Sequence, residues 1–358
     1  MSACPHDTPR PRRAWRRRAA ASALLVGSVA LVISLTGTAT ASASKRPSPV
    51  VRPVLSPTRP AKPHHGTPKK GFRQASGGVV GVYAGPGAPA AVAAISNLVG
   101  HKVRYAMDFL DGSSWSTIDD PSWLTSVWNS SGYKMIWGVP MLPNSGASLA
   151  TGATGAYNQY FKTLAERLVA QDQGSSIIRI GWEFNGGWFP WAANGHAKAF
   201  VAYWRQIVDS MRSVKGQHFS FEWNPTRGDM WVGPLSQYYP GNKYVTYVGL
   251  DVYDIEWQTY PGRKAEWTHM LTQSYGLDWL VSFGKAHHKQ LCIPEWGLGW
   301  NTGGMASGGD NGYFVGHMSS WIATHHVANA VAFDYGSNPL PSAREPAAKI
   351  AFATSFSG

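Results

Sequence analysis

Ile177-Ile178-Arg179-Ile180-Gly181-Trp182 runs straight into Glu183-Phe184-Asn185-Gly186-Gly187-Trp188-Phe189-Pro190-Trp191. After this come an amphipathic stretch, Ala197–Val214, and a second apolar run, Phe219-Ser220-Phe221-Glu222-Trp223. The first run is rich in β-branched residues and reads as a strand. The middle stretch places Phe200, Tyr203, Trp204, Ile207 and Met211 at three- and four-residue spacing, which reads as a helix, and the last run is a strand again. The same alternation extends in both directions. Upstream, strands are expected at Val79–Tyr83, Val103–Phe109 and Lys134–Val139, and downstream at Val245–Val252, Leu291–Glu295 and Ala328–Phe333. Helices are expected at Ala90–Leu98, Tyr157–Ala170, Asp278–His287, Tyr313–Thr324 and Pro346–Thr354.

Eight strands alternating with helices from Gly77 to Gly358 predict an α/β fold, a single (β/α)₈ TIM barrel. An open doubly wound sheet would need a phosphate-binding turn after its first strand. The stretch Gly81-Val82-Tyr83-Ala84-Gly85-Pro86-Gly87 does not match G-x-G-x-x-G. The sequence also contains no Walker or HExxH motif and no fixed-period repeat.

The chain carries 32 Lys and Arg against 20 Asp and Glu, a net charge of +12. Residues 1–76 hold 14 of the basic side chains and a single acid, Asp7, so the remaining 282 residues are close to neutral. The body therefore has no electrostatic footprint for nucleic acid. Arg10, Arg12, Arg13, Arg16, Arg17 and Arg18 precede an apolar stretch from Ala19 to Leu35 and the small-residue run Thr38–Ala43. That order reads as an export signal over residues 1–43, with the membrane met only in transit; an uncleaved anchor holding the protein at the cell surface is the alternative. Residues 44–76, with Pro47, Pro49, Pro53, Pro57, Pro60, Pro63 and Pro68 among basic residues, read as an extended linker. The expectation is a secreted monomer. Cys4 and Cys292 are the two cysteines, and Cys4 falls in the leader, so the body has neither a disulfide nor a cysteine-based zinc site. No cofactor and no metal are expected. A metal-dependent hydrolase using His287-His288 or His325-His326 is disfavoured, because adjacent helical residues point about 100° apart.

In a barrel, functional groups gather at the carboxyl ends of the strands. The fourth strand ends at Trp182-Glu183 and the fifth at Glu222-Trp223-Asn224-Pro225. The sixth ends at Asp251-Val252-Tyr253-Asp254, and the seventh at Pro294-Glu295-Trp296 with Trp300 beyond. Carboxyl groups recur beside tryptophans at one rim. Two carboxyl groups flanking a glycosidic bond are what its hydrolysis needs, one as acid and one as nucleophile or base. Indole faces suit the apolar C–H faces of pyranose rings, and Trp182, Trp188, Trp191, Trp223, Trp296 and Trp300 are the candidates to pave a groove. Trp204, Trp279 and Trp321 read as packing residues of the helix shell. Strand alternation could aim Glu222 into that shell, and a structural or outer-subsite role is expected for it. Asp108, Asp251, Asp254 and Asp334 could each bind a hydroxyl.

Arg179-x-x-x-Glu183-x-Asn185-Gly-x-Trp188-Phe resembles the strand-4 motif of glycoside hydrolase family 26, the β-mannanase-like members of the clan A barrel hydrolases. The resemblance implies that Glu183 is the acid/base and Glu295 the nucleophile, with Tyr253 hydrogen-bonded to the nucleophile and Arg179 and Asn185 beside the substrate. It also implies retaining hydrolysis, with carboxyl groups roughly 5–5.5 Å apart. The family's His before the acid/base is Trp182 here, and indole only donates. The eighth strand, where the clan often carries Trp, ends in Phe333-Asp334-Tyr335. β-Mannan is the first substrate implied; β-1,3-xylan, mixed-linkage β-glucan and a bacterial exopolysaccharide stay open. The competing reading is a secreted carbohydrate-binding protein on a catalytically degenerate barrel.

Overall fold

The computed structural model describes residues 75, 77–230, 232–256, 258–299, 306–336 and 345–357. The expected export signal, the expected linker except Ala75, and Trp300 lie outside the described residues. Among the described residues ten strands occur: β1 Val80–Tyr83, β2 Tyr105–Phe109, β3 Lys134–Val139, β4 Ile177–Ile180, β5 Ser220–Trp223, β6 Tyr247–Gly249, β7 Val252–Glu256, β8 Gln290–Leu298, β9 Ala306–Ser307 and β10 Ala330–Phe333. The order β10-β1-β2-β3-β4-β5-β6-β8 is parallel throughout, and a β10–β8 pairing closes it. This is the eight-stranded barrel. The strand expected at Val245–Val252 is broken into β6 and β7. At the break, Asp251 bridges to Thr226 beyond β5, and β7 then runs on beside the far end of β8.

The strands read as continuous apolar runs because both of their faces are covered. Inside the barrel, Tyr83, Tyr105, Met107, Ile136, Ile177, Val331 and Phe333 form the central cluster. Gly81 leaves room for it: a Cβ there would lie 3.0 Å from both Tyr105 and Val331 side chains. Outside, the helices bury one face each. The helix Ala197–Arg212 buries the expected Phe200, Tyr203, Trp204, Ile207 and Met211 together with Val208. Burying one such side chain contributes about 1.5–3 kcal/mol.

All six expected helices are present. The short helices Trp115–Ile118, Ser122–Trp128 and Leu149–Ala153, and the longer Arg263–Thr272, were not legible. The first three are too short to repeat a periodic pattern, and the fourth buries only Met270. Among the described residues no helix is long and apolar enough to cross a membrane.

Candidate active site

Period-two alternation in β5, and in β8 a register shift against β10 between Ile293 and Trp296, decide which side chains enter the barrel. Glu222 points inward and Trp223 outward, where it stacks on Phe283 and donates to the Tyr238 carbonyl at 3.1 Å. Glu295 likewise points inward, while Trp296 packs on Phe314, Phe352 and Phe356 in the shell. Trp223 and Trp296 therefore cannot pave a groove, and Glu222 lies on the axis rather than in the shell, buried beside Arg179 in a structural position rather than an outer subsite. The two tryptophan expectations are corrected for one reason: a carboxyl facing the barrel axis sends its neighbour to the other face.

Arg179 of β4 is fully buried on the axis and organises the floor. Its Nε donates to Asn224 Oδ1 at 2.9 Å, one terminal nitrogen donates to Glu295 Oε1 at 2.5 Å, and the other is paired with Asp251. Glu222 Oε1 lies 3.9 Å from Nε and has no hydrogen-bond partner. Tyr253 donates to Glu295 Oε2 at 2.5 Å. Both oxygens of Glu295 thus accept, from a guanidinium and a phenol, as an anionic carboxylate requires. Burial, with the charge of Glu295 second, holds the Tyr253 hydroxyl well above its ordinary pKa, so it stays a donor.

Glu183 stands just past the end of β4, and the backbone there is unusual. Gly181 has φ 53° and Glu183 itself has φ 49°. A non-glycine residue in this left-handed region costs about 1–2 kcal/mol, and the contacts around it must hold it there. The Glu183 N–H donates to the Asn224 carbonyl at 3.1 Å, and its carbonyl accepts from the Gly186 N–H at 2.9 Å. Asn185 clamps the same turn: its amide donates to the Thr226 carbonyl at 2.9 Å and accepts from the Thr226 N–H at 2.8 Å. Asn185 is almost wholly buried with both ends of its amide committed, so it positions Glu183 rather than contacting substrate.

Trp188 donates to Glu183 Oε2 at 2.9 Å. Burial pushes the Glu183 carboxyl up to about 7; the charge of Glu295 pushes the same way, and Arg179, Trp188 and Thr226 oppose it. Trp188 and Tyr253 are the two expected aromatic contacts that remain partly exposed. Trp182 and Trp191 are 4% and 3% exposed. Trp182 packs between Phe109 and Trp191, at ring distances of 4.9 and 4.7 Å, and Trp191 donates to the Trp182 carbonyl at 2.8 Å. They form the wall under the Glu183 turn rather than a stacking surface, which corrects the expectation for both.

Three of the rim aspartates are also buried. Asp108 accepts from the Gly87 N–H and Trp128, Asp251 pairs with Arg179, and Asp254 accepts from Asn311 at 2.7 Å. None of the three is free to bind a sugar hydroxyl. Asp334 is partly exposed. Among the described residues no group of three or more His, Cys, Asp or Glu side chains is arranged to hold a metal. Two floor residues escaped the sequence reading, Asn224 and Asp251 as partners of Arg179. Counting by two from Glu222 to Asn224, and from Tyr253 back to Asp251, was the available signal.

Residues 142–290 match the model of glycosyl hydrolase family 26. That stretch, about two fifths of the chain, is similar to family 26. The match takes in Arg179, Glu183, Glu222, Asp251 and Tyr253 and stops five positions before Glu295. Among curated proteins, Endoglucanase H of Acetivibrio thermocellus is 28% identical over 202 residues, 53% of this chain and 19% of that protein. Mannan endo-1,4-beta-mannosidase of Bifidobacterium adolescentis is 38% identical over 84 residues, 22% of this chain and 8% of that protein. The chain thus spans a fifth or less of these relatives' length. Among solved structures, the catalytic domain of the Bacillus sp. JAMB-750 GH26 endo-beta-1,4-mannanase aligns with TM-score 0.53 at 19% identity, over 74% of this chain and 79% of that one. The modular endo-beta-1,4-mannanase of Cellulomonas fimi aligns with TM-score 0.56 at 18% identity, over 78% and 70%. At such identities these structures speak for the barrel fold alone.

Proposed function

We propose that the protein is a secreted, retaining endo-glycoside hydrolase that cleaves β-linked polysaccharide, β-mannan first, with Glu183 as acid/base and Glu295 as nucleophile. The observation that carries this reading is the opposite environment of the two carboxyl groups in one site. Glu295 accepts from Arg179 and Tyr253, whereas Glu183 is held near pKa 7 by burial beside that charge. In the first displacement Glu295 attacks the anomeric carbon and Glu183 passes its proton to the leaving oxygen. The glycosyl-enzyme bond consumes the charge on Glu295. Loss of that charge lowers the proton affinity of Glu183, which then takes a proton from water as the second displacement releases the sugar with its configuration retained. The mannosidase match and the mannanase neighbours favour mannan, while the endoglucanase match keeps β-glucan open. The cationic, apolar and small-residue order of the leader supports export.

The test is reducing-sugar release by the full chain from mannan, β-1,3-xylan and mixed-linkage β-glucan, beside Glu183→Ala and Glu295→Ala, with the released anomer read by NMR. Activity on one glycan, with retention, abolished by both substitutions, is expected. Activity that survives either substitution would sink the assignment. Glycan binding without turnover would favour a degenerate, carbohydrate-binding barrel.

A further inference from the structure

Trp123 is the only exposed tryptophan among the described residues, with 65% of its surface open. Its helix, Ser122–Trp128, buries Leu124, Thr125 and Trp128 on the opposite side, so Trp123 plays no part in seating that helix. An indole left in water forgoes about 1.5–3 kcal/mol of burial, and scattered surface aromatics alone mean little. The way this ring is held sets it apart.

The ring rests on the loop that leaves the carboxyl end of β1. Gly87 in that loop has φ 58°, and a Cβ there would lie 2.9 Å from the Trp123 ring, so only glycine lets the ring sit down on the backbone. The seat is fixed from below. The Gly87 N–H and the Trp128 indole both donate at 2.8 Å to one oxygen of Asp108, which is fully buried on β2. One carboxylate therefore ties the loop beneath Trp123 to the helix that carries it. The indole is held as a fixed platform on the active face of the barrel.

The platform also continues the catalytic floor. From Tyr253, which holds Glu295, rings follow one another outward: Phe333 at 5.8 Å, then Tyr83 at 4.8 Å, then Tyr335 at 5.7 Å. Tyr335 lies against Gly85, where a Cβ would meet its ring at 2.9 Å. Gly85-Pro86-Gly87 thus carries one aromatic ring at each end, Tyr335 toward the nucleophile and Trp123 toward solvent. We propose that Trp123 is a remote sugar-stacking subsite, gripping a pyranose of an extended β-linked glycan several units from the bond being cut. This rests on the glycan-cleaving reading above and deepens it: such a subsite favours polymers over short oligosaccharides.

The test uses the full chain with Trp123→Ala and, as a shape control, Trp123→Phe. In a Glu295→Ala background, which leaves the polymer intact, migration is followed through native gels containing galactomannan or mixed-linkage β-glucan. In the active protein, kcat/KM on the polymer is divided by kcat/KM on a linear tetrasaccharide of the same linkage. Trp123→Ala should weaken retardation and lower that ratio by roughly threefold to tenfold, the worth of one aromatic contact, and Trp123→Phe should recover most of both. Retardation and ratio unmoved by Trp123→Ala, with hydrolysis intact, would overturn the subsite alone. A parent protein that neither migrates more slowly nor cleaves any glycan would overturn the subsite together with the reaction it rests on.

Discussion

The exits of β4 and β8 each deliver a glutamate to the same cleft, and they do so by opposite means. Glu295 sits inside a nine-residue strand, where the register against β10 shifts between Ile293 and Trp296, and its two oxygens are met by Arg179 and Tyr253. Glu183 sits three residues past the end of a four-residue strand, in left-handed backbone. Its donors are Trp188 and the Thr226 hydroxyl, while burial and the charge of Glu295 push it toward the protonated form. The strand position presents a carboxylate met by two donors, and the left-handed turn presents a carboxyl that burial favours in its protonated form. In the proposed reaction one residue type thus covers both halves, and environment separates them.

The largest effects should come from removing either side. Glu295→Ala and Glu183→Ala should each lower kcat on polymer by about 10²–10⁴-fold or more, and added azide should then tell them apart. In Glu295→Ala, azide occupies the vacated space and attacks once, giving a glycosyl azide of inverted configuration. In Glu183→Ala with an activated leaving group, azide attacks the glycosyl-enzyme instead and gives a retained product. The same azide anomer from both variants would erase the distinction drawn here.

Next in size is Tyr253→Phe, which removes one donor from the Glu295 carboxylate. A hydrogen bond to a charged group contributes about 1.5–3 kcal/mol, so kcat/KM should drop roughly ten- to 150-fold with the fold unchanged. A loss confined to KM would place Tyr253 on the sugar instead.

A smaller effect concerns pH. Glu183 must carry its proton to act as acid, so with its carboxyl near 7, kcat/KM should fall as pH rises through about 7. Trp188 favours the ionised form of Glu183 by donating to it. Trp188→Phe should therefore raise that carboxyl further and move the alkaline limb to higher pH. A limb that moves to lower pH would break the argument.

The smallest effect should come from Glu222. Burial, partly offset by Arg179, holds its carboxyl up at about 7 in the folded chain, against an ordinary carboxyl when unfolded. Its contribution to stability is fully present below the ordinary carboxylate range and is lost as pH rises through 7. Glu222→Gln should accordingly lose fewer degrees of Tm than the parent between pH 5 and pH 8, by a few °C.

The barrel was legible because both faces of every strand are covered, so each strand shows as an uninterrupted apolar run between helical stretches. The expected single sixth strand was the exception. Its backbone turns aside at Asp251 to meet Thr226, and Leu250 and Val252 on either side look alike to a pattern. At the site, Glu183, Glu295, Tyr253 and Arg179 were legible as residue types at strand ends. Most of the tryptophans were misread, because apolar bulk beside a carboxyl suits a sugar face and a helix shell equally. The period-two rule points Trp223 away from the axis, whereas Trp296 is turned outward by the register shift in β8, which an apolar pattern does not show. Trp182 and Trp191 lie on an irregular turn where that rule does not apply.

Cys292 has a practical consequence of its own. It is the only thiol among the described residues, fully buried on β8, where it hydrogen-bonds Glu222. A thiol reagent can reach it only when the strands around it part. The rate of its labelling would therefore clock the breathing of the barrel between β6 and β8, a built-in stopwatch for the strand that also carries Glu295.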